Sequence, residues 1–339
     1  MAGSSEDEPN KRSLLTPLNL LRAALIIAPW AFVGYLYRDL GEVRDAFNGA
    51  TPILLIAALA LAIAPVFGVG MIWIRLVRHL GNSAVKLNER VLLRAYARAW
   101  IARYIPGVAW ALGARFVHTE DTVSRRVVAT SMVNEFAMMA STTAAIGLGL
   151  WLWGAVNFWL GLGVLAVTLP TAVFFATRVN RMAHWALDHV GRLLPKRFKS
   201  LAEDLGAADE RTQLTFAEAA QFSAAFAAAA VISGLSFFVV LASLSGVSAS
   251  DLPEAIGGYN LATILAIALI IVPAGLGVRE AGLAAIAAPI VGDPVAATAA
   301  LAYRVITLLA DGIFFVVAEL IASSRANRVS SSALEVPEE

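Results

Sequence analysis

Long apolar runs alternate with short basic stretches along most of the chain. The runs lie near residues 20–37, 52–74, 127–153, 157–177, 217–244 and 295–321. Each is close to or above the ~20 residues that an α-helix needs to cross a bilayer. The pattern therefore predicts an all-α, polytopic transmembrane bundle.

One further apolar region, residues 255–291, is interrupted by proline and glycine at Val272-Pro-Ala-Gly-Leu-Gly-Val-Arg-Glu-Ala-Gly282. An ionised side chain in hydrocarbon costs at least ~2.5 to 3.5 kcal/mol, so Arg279 and Glu280 must be paired, face a polar cavity or contact a substrate. From Arg279 to Val291 the chain covers only about 20 Å at helical rise. This length favours a re-entrant hairpin over a full span followed by a very short one.

A second interrupted segment, Arg103-Tyr-Ile-Pro-Gly-Val-Ala-Trp-Ala-Leu-Gly-Ala-Arg115, lies in a loop between two spans. If it enters the bilayer, it does so from the side opposite to residues 255–291. Two interrupted segments in opposing orientation are typical of an inverted-repeat transporter at its binding site. The alternative is that residues 104–113 form an interfacial turn.

Basic residues are unevenly distributed among the loops. They are concentrated in residues 75–126 and 178–211, whereas residues 245–255 carry only Asp251 and Glu254. The positive-inside rule then predicts a multi-pass protein of the cytoplasmic (inner) membrane with both termini in the cytoplasm.

A basic residue recurs every four positions at Lys86, Arg90, Arg94 and Arg98. This spacing predicts a basic amphipathic helix facing the anionic cytoplasmic leaflet, either as an interfacial anchor or as a substrate contact.

Composition narrows the possible chemistry. Hydrophobic residues make up 59% of the chain, charged residues 15%, and the mean hydropathy is +0.72, outside the range of soluble proteins. Cysteine is absent and only four histidines are present, none paired at i, i+4, so neither a metal site nor a cofactor is expected. Gly275-Leu-Gly277 lacks the third glycine of a dinucleotide loop, and no nucleic-acid partner is expected.

Three ionisable residues lie on one stripe of the last span, namely Arg304, Asp311 and Glu319. Glu135 lies at a similar depth in the span at 127–153. Because an unpaired charge at that depth is costly, we predict that Glu135 and Arg304 are neighbours.

Arg279, Arg304 and Arg115 form the sharper group of candidates. Guanidinium groups make bidentate hydrogen bonds to phosphate oxygens, and a half-helix after Gly277 adds a positive N-terminus. The pattern predicts binding of an anionic head group.

With these motifs the chain resembles the lysylphosphatidylglycerol synthase transmembrane family of flippase-like membrane proteins. The resemblance rests on Tyr104-Ile-Pro-Gly-Val-Ala-Trp110, Glu135, the segment from Val272 to Ala281, and Tyr303-Arg304. It implies a transmembrane domain at 18–322 between cytoplasmic polar tails at 1–17 and 323–339. The motifs indicate substrate contacts at Arg279, Glu280, Arg304, Glu135, Arg115, Tyr303, Gly275 and Gly277, and gating residues at Pro106, Gly107 and Pro273. Val108 stands where the family usually has a basic residue.

The resemblance implies a protein that binds and translocates a lipid with a phosphate head group, either an aminoacyl-phospholipid or a polyisoprenyl-phosphate-linked glycan. The alternative is a non-transporting subunit that scaffolds a lipid-dependent glycosyltransferase or another lipid-modifying enzyme. An enzyme acting alone is not expected, because no nucleophile and base are paired in the sequence.

The loop charges give a testable topology. The chain has no cysteine, so single cysteines can be introduced without background labelling. We expect Arg192→Cys to react with a membrane-impermeant maleimide only from the cytoplasmic side, and Asp251→Cys only from outside. Labelling with both sides reversed contradicts the topology.

Overall fold

The computed structural model describes residues 48–81, 88–104, 108–119, 123–190, 214–268 and 277–323. Regular structure in these ranges is entirely helical, which confirms the all-α prediction. The predicted span at 20–37 lies outside the described residues. Within the described ranges the helices are α1 Pro52–Leu80, α2 Glu89–Ala102, α3 Val108–Thr119, α4 Arg125–Ala155, α5 Phe158–Val190, α6 Phe216–Leu244, α7 Leu252–Ala268, α8 Val278–Val291 and α9 Asp293–Ser323.

Five of these helices, α1, α4, α5, α6 and α9, are long and apolar enough to cross a membrane. Their bounds differ by only a few residues from those of the predicted spans at most ends, because a continuous apolar run of that length has few other stable arrangements. The end of α5 is the exception, since the helix continues to Val190 after the apolar part ends at Val179.

The four short helices form two hairpins, α2 with α3 and α7 with α8. They contain 14, 12, 17 and 14 residues. At 1.5 Å per residue none exceeds about 26 Å, so each is shorter than the ~30 Å hydrocarbon core of a bilayer. In the sequence, the two proline-glycine segments lie between the paired helices of each hairpin, and their residues 105–107 and 269–276 lie outside the described ranges.

The helices repeat in order and length. A long helix, a hairpin and a second long helix occur as α1 to α4, and the same series recurs as α6 to α9. Trp73 of α1 and Phe237 of α6 stand at the same position counted from the helix start, as do Tyr96 of α2 and Tyr259 of α7. The ring of each tyrosine packs against its aromatic partner, with centroids 5.5 Å and 6.2 Å apart.

The two halves are inverted relative to each other. Thr51 N donates to Ser243 O over 2.9 Å, and Ser236 Oγ donates to Ala58 O over 2.7 Å, so α1 and α6 pack antiparallel. The first hairpin follows the end of α1 and the second follows the end of α6, and these ends lie at opposite ends of the bundle. The hairpins therefore enter from opposite ends, as expected for an inverted repeat.

Helix α2 is amphipathic, as predicted, and its apolar side packs against other helices of the bundle. Its side chains at Leu92, Ala95 and Tyr96 are fully buried, and it packs against α1, α3 and α9. The four-residue spacing of its arginines could not distinguish a lipid surface from a protein groove, because both present one polar and one apolar environment.

Close backbone approach fixes the position of α7 against α4. A Cβ atom added to Gly257 would lie 2.1 Å from the backbone nitrogen of Trp151, so only glycine fits. Gly163 of α5 has open space around the same added atom.

This contact gives a test of the packing. Gly257→Ala should lower the free energy of unfolding by about 1–3 kcal/mol, because a methyl group forced against backbone displaces the helix. Gly163→Ala is the matched control and should leave stability unchanged. Thermal unfolding in detergent measures both, and equal melting temperatures for the two variants contradict the packing.

Candidate functional site

Helix α9 provides the ionisable residues that organise the centre of the bundle. Arg304 and Asp311 are seven residues apart, which is about two helical turns, and Glu319 follows on the same side. Arg304 is 8% exposed and Asp311 only 2%. The predicted stripe therefore exists, and each of its members contacts a different part of the hairpins.

Asp311 holds the tip of the first hairpin. It accepts hydrogen bonds from Trp100 Nε1 over 2.7 Å, from the Tyr104 hydroxyl and from the Arg103 guanidinium. The Arg103 guanidinium also lies 3.9 Å from the centroid of the Trp100 ring. One buried carboxylate thus neutralises one arginine and orients two aromatic side chains.

Glu135 of α4 pairs with Arg115 of α3 through both carboxylate oxygens. The Tyr96 hydroxyl donates to Glu135 over 3.0 Å. The Arg115 guanidinium lies over the rings of Tyr96 and Trp73, at 4.5 Å and 5.0 Å from their centroids.

The predicted pairing of Glu135 with Arg304 is therefore wrong, because each has a different partner. Arg304 Nη1 lies 3.3 Å from Glu280 Oε1 of α8. Equal depth along two helices does not specify which way the side chains point. In each half, a hairpin helix supplies the opposite charge instead.

Glu280 also determines how α8 begins. Its second oxygen, Oε2, accepts a hydrogen bond from the backbone nitrogen of Gly277 over 2.6 Å. Gly277 has a φ of 81°, a conformation that glycine adopts at little cost. Gly277 and Glu280 thus shape the start of the helix, next to the predicted substrate contact at Arg279.

Arg279 is held by aromatic residues. Its Nη2 donates to the Tyr259 hydroxyl over 2.6 Å, and the guanidinium lies 5.0 Å and 5.5 Å from the ring centroids of Tyr259 and Tyr303. The Tyr303 hydroxyl donates to Ser233 O over 3.1 Å, which fixes that ring. Among the described residues, no carboxylate pairs with Arg279, and its buried Nε has no hydrogen-bond partner.

These contacts join into one group, which we name the central cluster: Arg103, Arg115, Glu135, Arg279, Glu280, Arg304 and Asp311. The Arg304 guanidinium lies 5.5 Å from the ring centroid of Tyr104 and also pairs with Glu280, so Arg304 contacts both hairpins. Stacking of Tyr96 on Trp100 at 5.7 Å links the Glu135 pair to the same tip.

Charges in the central cluster do not balance. Three arginines each face one carboxylate, namely Arg103 with Asp311, Arg115 with Glu135 and Arg304 with Glu280. Arg279 is left as an excess positive charge within the described part of the cluster. The arrangement suits an anion that accepts hydrogen bonds from a guanidinium fork.

The structure describes most of the predicted site residues. It brings Arg279, Glu280, Arg304, Tyr303 and Gly277 together in the second half, and Arg115 with Glu135 in the first. Pro106, Gly107, Pro273 and Gly275 lie outside the described residues. No group of three or more His, Asp or Glu side chains in the described ranges is placed to hold a metal ion.

Sequence reasoning missed the aromatic layer. Trp73, Tyr96, Trp100 and Tyr259 each lie beside a central arginine. A usable signal was present, because each hairpin's first helix carries a tyrosine at the same position ahead of a basic proline-glycine segment.

Comparison with known protein families gives one match. The model of the family described as "Lysylphosphatidylglycerol synthase TM region" matches residues 19–314. No curated protein matches the chain.

The ion pairs of the central cluster can be tested by double-mutant cycles. Glu135→Ala should destabilise the protein by about 3–5 kcal/mol, because it leaves Arg115 buried without a counter-charge. Adding Arg115→Ala should recover part of that loss. The exposed pair Arg78–Glu89 is the control, with a coupling of about 0–1 kcal/mol. Additive effects of the two alanines in unfolding measurements contradict the pairing.

Proposed function

The chain belongs to the lysylphosphatidylglycerol synthase TM region family of multi-pass membrane proteins, and from this premise we propose that it binds and translocates a lipid with a phosphate head group. The lipid classes are an aminoacyl-phospholipid or a polyisoprenyl-phosphate-linked glycan. We propose that the protein performs this transport without catalysing a chemical reaction.

The excess charge on Arg279 is the observation that carries the proposal. A cation within a membrane domain is costly unless it is neutralised, and the three other arginines of the central cluster are neutralised by the protein's own carboxylates. Arg279 lacks such a partner in the described ranges. A lipid phosphate would supply the missing negative charge.

The surroundings of Arg279 favour phosphate over other anions. A guanidinium presents several N–H donors in a planar fork that matches two phosphate oxygens. Tyr259 occupies one Nη2 donor and the two tyrosine rings hold the plane of the group, while Nε stays unused. The N-terminus of α8, one residue before Arg279, adds a partial positive charge.

Neutral donors near the phosphate position would contact the rest of the head group. The Tyr259 and Tyr303 rings both lie against the Arg279 guanidinium, and the Tyr259 hydroxyl accepts a hydrogen bond from it, so its own O–H can donate to a head group. Glu280 and Glu135 are paired with Arg304 and Arg115, so an amine or sugar hydroxyl would have to share these carboxylates with arginines. The phosphate remains the main determinant of binding.

The two hairpins would control access. We place each of them as a re-entrant element, one from the cytoplasmic side and one from outside, because neither arm is long enough to span the bilayer. Tyr104 of the first hairpin and Glu280 of the second lie beside Arg304 of α9, and small movements there would open the Arg279 position to one side or the other. Pro106, Gly107 and Pro273 are the proposed gating residues.

Orientation follows from the arginine-rich ends of the helices. The first hairpin begins at the end of the bundle that carries Arg78, Arg90 and Arg94, and this end would face the cytoplasm. Both termini would lie on that side of the inner membrane.

Substitution of Arg279 tests the proposal directly. In vesicles containing the purified protein, phosphatidylglycerol labelled on one acyl chain moves between leaflets, and an external quencher reports the movement. Arg279→Gln should abolish transfer, and Arg279→Lys should lower it about tenfold or more, because lysine keeps the charge without the fork. Arg78→Gln, an exposed arginine away from the central cluster, should transfer like the wild type.

The same vesicles distinguish a transporter from a non-transporting subunit that scaffolds an enzyme. Binding of the lipid by the wild type without any transfer would favour the non-transporting subunit, active only with its partner enzyme. Equal transfer by the wild type and Arg279→Ala contradicts the phosphate role.

A further inference from the structure

A second basic region lies at the other end of α9 from the hairpin tips. Arg90, Arg94 and Arg98 of α2 and His118 of α3 line an open cavity of about 180 Å³, and Asn88, Val91, Ala95 and Ala322 complete its lining. From Asp311, the member of the central cluster nearest to this cavity along α9, to Glu319 beside the cavity, the helix rises about 12 Å. The cavity is therefore distinct from the central cluster.

The charges around this cavity are unbalanced. Arg94 Nε donates to Glu319 Oε2 over 2.8 Å, and Arg98 Nε donates to Glu319 Oε1 over 2.6 Å. Glu319 is thus shared between two arginines, and Arg90 is exposed and forms no ion pair with any described residue. Three guanidinium groups face one carboxylate.

His118 of α3 borders the same cavity. Burial lowers the pKa of its imidazole, and the positive charges of Arg98 and Arg94 lower it further, whereas the negative charge of Glu319 raises it. The charges of both arginines therefore act on this wall of the cavity. An imidazole can also form a hydrogen bond with a bound anion.

The bidentate contact of Glu319 with Arg98 shows how an anion is held here. Both carboxylate oxygens of Glu319 lie against the Arg98 guanidinium, at 2.6 Å and 3.2 Å, the geometry in which arginine also binds phosphate. Glu319 is 23% exposed, so an incoming anion can reach the same donors.

We propose that this cavity is a phosphate-binding site in which Glu319 is the resident anion that a ligand displaces. The phosphate would contact Arg90, Arg94 and Arg98, with His118 at its edge. Its source is either the head group of a phospholipid in the adjoining leaflet or a free phosphate from solution. Because Glu319 also ties α9 to α2, the ligand would loosen the base of the first hairpin.

The experiment measures binding of two probes to the full chain in a nonionic detergent. Inorganic phosphate is titrated by calorimetry, and phosphatidylglycerol binding is counted by native mass spectrometry. All variants carry Arg279→Gln, so that a phosphate at the central cluster does not contribute. The inference does not rest on the proposed function, and binding at the cavity is expected whether or not Arg279 holds lipid.

Glu319→Gln should raise the affinity about tenfold or more, because it removes the competing carboxylate and keeps the side-chain shape. Arg90→Gln should weaken binding, and Arg94→Gln with Arg98→Gln and Glu319→Gln should abolish it. The matched control is Arg78→Gln with Glu89→Gln, an exposed pair whose removal leaves net charge unchanged and should not alter binding.

Each outcome decides the matter. If both probes follow this order of variants, the site recognises the phosphate group from either source. If only phosphatidylglycerol follows it, the ligand is a lipid head group, and if only inorganic phosphate does, it is a soluble anion. If Glu319→Gln binds neither probe more tightly than its Arg279→Gln parent, or if Arg90→Gln binds neither probe more weakly, the proposal is overturned. A gain of affinity cannot arise from misfolding, so the Glu319→Gln arm holds even if the triple variant fails to fold.

Discussion

Neutralisation of buried charge is the constraint on which the architecture depends. A membrane domain offers little water to stabilise an ionised side chain, so each arginine must find a carboxylate, an aromatic face or a ligand. Helix α9 carries, along its length, charged side chains that pair with both hairpins. Arg304 pairs with the second hairpin, Asp311 with the tip of the first, and Glu319 with the middle of α2. The hairpins are thus held by charge pairs spaced along a single helix, and the apolar surfaces of the long helices only have to bring α9 into place.

Aromatic rings provide the second element of the same solution. Arg115 lies over Trp73 and Tyr96 in one half, and Arg279 lies over Tyr259 and Tyr303 in the other. Tyr96 and Tyr259 stand at matching positions of the repeat, yet the outcome differs between the halves. Arg115 pairs with Glu135. Glu280 is next to Arg279 in the sequence, but its carboxylate contacts Arg304 and the start of α8. The same helix arrangement, repeated in opposite orientation, therefore gives Arg115 a carboxylate partner and leaves Arg279 without one among the described residues.

The sequence was informative wherever a single physical quantity decides the structure. The length of each apolar run predicted the five long helices α1, α4, α5, α6 and α9. The proline-glycine segments marked where each hairpin is interrupted. Both properties act locally along the chain, so the sequence reveals them. The sequence did not reveal which charged residues form ion pairs with each other. Glu135 and Arg304 share a depth, but the rotation of α4 and α9 about their axes depends on contacts such as Gly257 against Trp151, which no periodicity reveals. For a related reason the basic helix at Arg90 to Arg98 was predicted without its partner, since the sequence does not show that Arg94 and Arg98 pair with Glu319. The site residues remain predictions of function, although their surroundings are now defined.

The sequence separation of these ion pairs has a consequence for biosynthesis. Arg94, Arg98 and Arg103 are made more than 200 residues before the carboxylates that neutralise them. While the chain is being inserted, Arg94, Arg98 and Arg103 of the first hairpin therefore lack their counter-charges until the last helix is complete. The first hairpin can settle in its final position only when α9 arrives. Insertion of the C-terminal helix is thus the step that commits the whole domain to its native state, and a chain shortened before Asp311 would lack the charges that its N-terminal half requires.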